Sequence, residues 1–340
     1  MDAMSGKTFE TFNPANGKVL AKIARCEKAD ADVAVEAARN AFENGPWPKM
    51  SPAERKVILQ RFATLIEAHT DELAELEAIE AGKPISDCIE IDLPETVSTI
   101  RWHAEAADKI YDQLSPSGPG VVSMIVREPI GVVAAILPWN FPLMMASWKL
   151  GPILAEGNTT ILKPAEQTSM STIRLAQLGT EAGIPDGVIN VVPGFGEEVG
   201  KALGEHMGID CVGFTGSTEI GRMFLRYSAD SNLKRILLEC GGKNPLVVMP
   251  DATDLDVVAD HAANSIFWNM GENCSSNSRV LIHSSLKDEF IALLIERARD
   301  WVIADPLDSA CRLGPLIEEE HMKKVLSHID KAIKEGAKLI

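Results

Sequence analysis

The stretch GVVAAILPWNFP, residues 131–142, decides how the rest of the chain is read. Seven consecutive small or branched apolar residues, ended by a proline, suit a strand buried on both faces, the condition of a strand inside a parallel sheet. Pro138 and Pro142 clamp the loop that follows and fix where Asn140 points. A side-chain amide held in this way can donate to a developing oxyanion. Taken alone, the loop reads as readily as a proline-rich turn whose Asn bonds its own backbone.

Outward from this strand the texture repeats. Apolar runs occur at 159–162 (TTIL), 188–192 (VINVV), 211–214 (CVGF), 245–249 (PLVVM) and 279–283 (RVLIH). Between them the spacing predicts helices over 169–182, 197–207, 218–228, 254–268 and 286–303. Alternation at this interval implies an α/β fold, a parallel sheet joined by right-handed crossovers. Upstream the chain is helical. One amphipathic helix is expected from Asp32 to Phe42. A second begins at the capping box Ser51-Pro52-Ala53-Glu54 and runs to the stop at Gly82 and Pro84. Residues 111–129 break the rhythm and read as a turn and an extended arm. The final KEGAKLI reads as a helix ending at Gly336 and a new strand starting, as in a chain that has been cut.

Composition narrows the function. The 340 residues carry 33 basic and 49 acidic side chains, a net charge of −16, which argues against nucleic acid as partner because phosphates need clustered Lys and Arg. No run approaches the ~18 apolar residues of a membrane span, and MDAMSGKTFE lacks the features of a secretory signal, so a cytoplasmic location is expected. Cysteines 26, 88, 211, 240, 274 and 311 contain no C-x-x-C pair or zinc spacing, so no metal site is expected. Five of them read as small buried hydrophobes. Cys274 needs a separate argument.

Ligands of a doubly wound sheet gather at the carboxyl ends of its strands, and the remaining motifs fall there. Lys163-Pro164-Ala165-Glu166 places an ammonium and a carboxylate where they can hold ribose hydroxyls. Phe214-Thr215-Gly216-Ser217 turns into a helix whose free N–H groups suit a pyrophosphate. Gly194-Phe195-Gly196 begins a near-match to a glycine-rich loop. Leu238-Glu239-Cys240-Gly241-Gly242-Lys243 sets a carboxylate before two glycines, and Asn269-Met270-Gly271-Glu272-Asn273-Cys274 sets a thiol in a polar loop. A thiol can add to a carbonyl, and a carboxylate can then activate the water that cleaves the adduct.

Together, PWNFP, KPAE, FTGSTEIG, LE-x-GGK and N-x-G-x-x-C resemble the aldehyde dehydrogenase superfamily, in particular its γ-glutamyl-γ-aminobutyraldehyde and betaine aldehyde dehydrogenase-like members. The resemblance implies a Rossmann-type parallel-sheet domain over 1–110 and 130–241, with an oligomerisation arm over 111–129. It also implies an incomplete second α/β catalytic domain over 242–340. It assigns Cys274 as nucleophile, Asn140 as oxyanion donor, Glu239 as the base that activates water, and Lys149 as a support for proton transfer. It places Trp139, Lys163, Glu166, Gly196, Gly216 and Ser217 around NAD, which Glu166 favours over NADP because a carboxylate repels a 2′-phosphate. It sets Phe141, Trp148 and Trp268 around the aldehyde. Those rings either surround an ammonium, as an aminoaldehyde substrate requires, or form a tunnel for aliphatic aldehydes. A homodimer or homotetramer is implied for a full-length form.

Two departures stand out. Glu272 replaces the Gln usual in the thiol loop, and its charge is expected to raise the thiol pKa. The chain also ends before the E-E-x-F-G-P stretch, and its beginning reads as shortened. The resemblance therefore leaves two alternatives open: a CoA-acylating enzyme that would not need Glu239, and a cofactor-binding remnant without turnover.

Overall fold

The computed structural model describes residues 2–340. An antiparallel hairpin, β1 (Thr8–Phe12) and β2 (Val19–Ala24), leads into a helical layer. That layer comprises α1 (Lys28–Glu43), α2 (Pro52–Ala68), α3 (Thr70–Ala81) and α4 (Leu93–Ala106). A second hairpin, β3 (Gln113–Ser115) with β4 (Ser123–Ile125), stands exposed. The central part alternates: β5 (Val132–Ile136), α5 (Pro142–Ala155), β6 (Thr159–Lys163), α6 (Met170–Glu181), β7 (Ile189–Val191), β8 (Cys211–Gly216), α7 (Thr218–Ala229) and β9 (Arg235–Cys240). A separate pair, β10 (Pro245–Val248) and β11 (Arg279–Ile282), flanks α8 (Leu255–Phe267) and is followed by α9 (Lys287–Ala298) and α10 (Glu319–Lys334).

The five central strands form one parallel sheet in the order β7-β6-β5-β8-β9, and β10 pairs with β11 in a second parallel sheet. Strand β5 explains the burial expected of residues 131–137. Its Val133 and Ala135, with Leu137, join a core containing Phe62, Leu59, Ile100 and Leu154. Its Val132, Ala134 and Ile136 join the opposite core with Val35, Ile161, Val212 and Phe224. Side chains alternate between faces, and both faces are covered by helices. The chain steps from β5 to β6 on one side and resumes with β8 on the other, so the strand order reverses beside β5.

The Ser51 capping box forms as expected, with Glu54 reaching back to the Ser51 N–H. The helix it starts does not run unbroken to Gly82. It stops at Ala68 and restarts at Thr70, because the His69 ring and the Thr70 hydroxyl bond to the carbonyls of Leu65 and Glu67. Such local bonds compete with helix continuation. Gly82 closes α3 in the left-handed conformation, φ 74°, which glycine adopts without a Cβ penalty.

The turn and arm expected over 111–129 contain the exposed hairpin β3–β4, and residues 337–340 form no strand. The backbone of Gly82 meets that of Gly314 so closely that a Cβ at 314 would lie 1.9 Å from the Gly82 carbonyl oxygen. The Ile85 N–H donates to Pro306 O at 2.8 Å. No helix of the described residues is long and apolar enough to cross a membrane, and none of their His, Cys, Asp and Glu side chains cluster in threes as a metal site would need.

Candidate active site

A cleft of about 370 Å³ opens at the carboxyl edge of the sheet where the strand order reverses. Trp139, Lys163, Glu166, Gly196, Gly216 and Ser217 all line it. Lys163 is the last residue of β6 and almost fully buried, with its ammonium 3.1 Å from the Glu166 carboxylate. Burying a lysine this deeply requires a partner, and Glu166 supplies it while remaining partly exposed to the cleft. Ser217 caps α7, its Oγ accepting from the Ile220 N–H at 3.3 Å. Other N–H groups of that first turn have no intrahelical partner, and Gly216 and Ser217 bring this turn to the cleft. Gly196 opens a π-turn, Gly196–Gly200, on the far wall.

Two further segments converge on the thiol loop. The Asn140 side-chain amide donates to Glu272 O at 2.6 Å, joining the proline-clamped loop to a residue two positions before Cys274. The amide has a second N–H beyond the one used here. From the other side, Asn244 Nδ2 donates to Cys274 O at 3.0 Å and to Ser276 O at 3.3 Å. A Cβ at Gly242 would stand 3.4 Å from Cys274 O, an ordinary contact that puts the segment after Glu239 against the thiol loop. Cys274 is exposed, whereas Cys26, Cys88, Cys211 and Cys311 are buried and Cys240 is half-buried. Glu239, on β9, is exposed as well.

Lys149 of α5 donates to the Thr215 hydroxyl at 2.6 Å. Burial pushes its pKa down to about 8, and the nearby Glu239 carboxylate partly opposes the shift.

Glu272 behaves differently from its sequence reading. Its side chain is 2% exposed, and its Oε1 accepts from the Ile317 N–H at 3.2 Å and lies 3.4 Å from His321 Nε2. Burial raises its pKa to about 8, and burial likewise lowers that of His321. Burial thus favours the neutral carboxyl, because burying an ion costs more than protonating it, and this opposes the negative charge expected beside the thiol.

The three aromatic residues divide. Phe141 is buried with its ring 5.3 Å from Trp268 and forms a small cluster with Met144 and Met145. Trp148, one helical turn beyond Met144 on α5, is half exposed over a shallow depression with Glu90, Ile91 and Glu95.

Several contributors were not singled out in the sequence: Thr215, Asn244, His321 and Lys83. Lys83 stood in view between the helix-stopping Gly82 and Pro84 but carries no pattern of its own.

A parallel doubly wound sheet with a cleft at its switch point places the chain among α/β proteins that take their ligands at the strand ends. The chain belongs to the aldehyde dehydrogenase family, whose model matches residues 1–340. It is 52% identical over 331 residues to the aminoacetaldehyde dehydrogenase of Pseudomonas aeruginosa, covering 97% of this chain and 67% of that protein. Its fold is similar to the crystal structure of the aldehyde dehydrogenase KauB from Pseudomonas aeruginosa, with a TM-score of 0.99 and 48% identity over 100% of this chain and 69% of that one. An indole-3-acetaldehyde dehydrogenase solved with NAD+ gives the same TM-score, identity and coverage. The chain thus spans about two thirds of these relatives' length.

Proposed function

We propose that the chain oxidises an aldehyde to a carboxylic acid, with NAD as hydride acceptor and Cys274 as nucleophile. The observation that carries this reading is the hydrogen bond from Asn140 to the Glu272 carbonyl, which holds an amide donor against the loop bearing the thiol. The Cys274 thiolate adds to the aldehyde carbon, forming a C–S bond and an alkoxide. The free N–H of Asn140 and the Cys274 backbone N–H stabilise that alkoxide. Bound NAD would supply the acceptor for the hydride that leaves this carbon, and Cys274 would then carry a thioester. Glu239, exposed at the end of β9, takes a proton from water, whose oxygen displaces the sulfur and releases the acid.

The cleft fits a dinucleotide. Lys163 and Glu166 would hold the adenosine ribose, the start of α7 at Ser217 with Gly216 would receive the pyrophosphate, and Trp139 and Gly196 would form the walls. A carboxylate at Glu166 favours NAD over NADP. The five-stranded sheet, drawn only from residues 132–240, supports a cofactor domain over 1–110 and 130–241, and the β10–β11 pair supports a separate unit over 242–340. The exposed hairpin over 111–129 serves as the assembly arm of a dimer or tetramer in this reading.

An aminoaldehyde is the proposed substrate class. The similarity to an aminoacetaldehyde dehydrogenase supports it, as do the half-buried ring of Trp268 and the acidic rim at Glu90 and Glu95 beside Trp148. NADH formation from aminobutyraldehyde and from pentanal tests both parts. A higher kcat/KM for the amine is expected. A preference for pentanal overturns the aminoaldehyde assignment, no NADH from either overturns the oxidation, and strong acceleration by CoA with acyl-CoA as product overturns the role of Glu239.

A further inference from the structure

Behind the Asn140 loop lies a fully buried ionic cluster that the proposed chemistry does not use. Lys83 is 1% exposed, ion-paired with Asp92 and 3.8 Å from Glu77, both of which are inaccessible to solvent. Burial alone would favour the neutral amine, but Asp92 and then Glu77 more than offset it and keep Lys83 protonated. Glu77 itself is pushed up to about 8 by burial and by Asp92.

A pair so deep contributes little to stability compared with an apolar packing of equal volume, so its direction matters. The ammonium donates to the Asn140 carbonyl oxygen at 3.3 Å and lies 4.0 Å from the centre of the Phe141 ring. The same carbonyl accepts from Asn269 Nδ2 at 3.1 Å. Asn269 sits at φ 52° inside the thiol motif. The Asn140–Phe141 peptide is therefore gripped by two donors from different parts of the chain.

We infer that Lys83 is a positioning residue for the oxyanion donor: anchored by Asp92, it fixes the Asn140 peptide plane, and with it the aim of the Asn140 amide at the carbonyl bound to Cys274. The inference rests on the proposed role of Asn140. Lys83 touches neither thiol nor substrate, and it acts only through that peptide.

The test reads acylation of Cys274 by an activated ester, p-nitrophenyl acetate, on the full chain without cofactor. The thiolate forms a C–S bond to the acetyl carbon and p-nitrophenolate leaves with the electron pair, giving a burst whose rate reports oxyanion stabilisation. Three proteins are compared with the unaltered chain: Asn140→Ala, the charge-neutral pair Lys83→Met with Asp92→Asn, and the combination of both.

Asn140→Ala is expected to slow the burst about 100-fold and the neutral pair about 10-fold, with unchanged iodoacetamide labelling of Cys274. In the Asn140→Ala background the neutral pair is expected to slow it no further, since residues acting as one unit are not additive. If the neutral pair leaves the burst unchanged, or slows it equally in both backgrounds, Lys83 does not act through Asn140 and the inference falls while the oxyanion role stands. If Asn140→Ala leaves the burst unchanged, or the unaltered chain gives none, the oxyanion role itself falls.

Should the neutral pair fail to fold, Lys83→Gln replaces it. Gln is too short to keep both the Asp92 and Asn140 contacts, so the same slowing and the same non-additivity are required.

Discussion

In the folded chain the Lys149 ammonium donates to the Thr215 hydroxyl across 2.6 Å, and Thr215 stands beside Glu239 in the register of β8 and β9. Register neighbours in a parallel sheet direct their side chains to the same face. A lysine brought down to about 8 thus shares a surface with the carboxylate proposed to activate water.

This relationship sets a kinetic expectation. Lys149 changes protonation close to working pH, so the plot of log kcat against pH should bend near 8. Lys149→Met should abolish that bend and lower kcat about tenfold, the low end for general acid–base support. A bend retained in the variant would show that another group titrates there.

Glu272 makes stability depend on pH in the direction opposite to most carboxylates. Its folded pKa of about 8 lies above its ordinary value, so the folded state holds the proton over the window between roughly 4.5 and 8 while the unfolded state does not. Stability is full below that window and falls as pH rises through it. Glu272→Gln keeps an acceptor for the Ile317 N–H and removes the titration. Its thermal midpoint should match the unaltered chain at pH 5 and exceed it by several degrees at pH 8.5. Equal midpoints at both pH values would contradict the buried, protonated carboxyl.

Cofactor preference should follow Glu166. Removing its carboxylate in Glu166→Ala takes away both a ribose acceptor and a charge that repels a 2′-phosphate. The ratio of kcat/KM for NADP to that for NAD should rise about tenfold, equivalent to ~1.4 kcal/mol. An unchanged ratio would place the ribose elsewhere.

The sheet–helix core offers a stability control. Phe62 is fully buried in α2 beneath the sheet, and Phe62→Ala should cost about 3–5 kcal/mol in a denaturant titration. Ser51→Ala, which removes only the cap of the same helix, should cost about 1 kcal/mol. Equal losses would mean that α2 is held by its end rather than by its packing.

The apolar runs at 131–137, 159–162 and 211–214 predicted the central sheet because a doubly buried strand leaves a continuous signature. Helix α3 shows the reverse: the periodicity of 52–81 passes smoothly through His69, and the break there depends on side-chain bonds to two carbonyls. The cleft residues were visible as motifs at strand ends, since strand ends and helix starts are local. The charge state of Glu272 was not, because it depends on burial by Ile317 and His321, far along the chain. Lys83 was hidden for the same reason, its partners Asp92, Asn140 and Phe141 lying on other elements.

The clasp formed by Gly82 against Gly314 and by Ile85 against Pro306 bears on the order in which the molecule assembles. These contacts join segments about 220 positions apart in sequence. Bringing such distant segments together carries a large loop-closure entropy, and pairings of this separation are slow to form. The helical layer and sheet can collapse from residues up to 240, yet the clasp at Gly82 and Ile85 waits for synthesis to pass residue 314. The nascent chain can therefore complete its scaffold, with Lys83, Asp92 and Asn140 already in it, before this clasp closes at the end of α3.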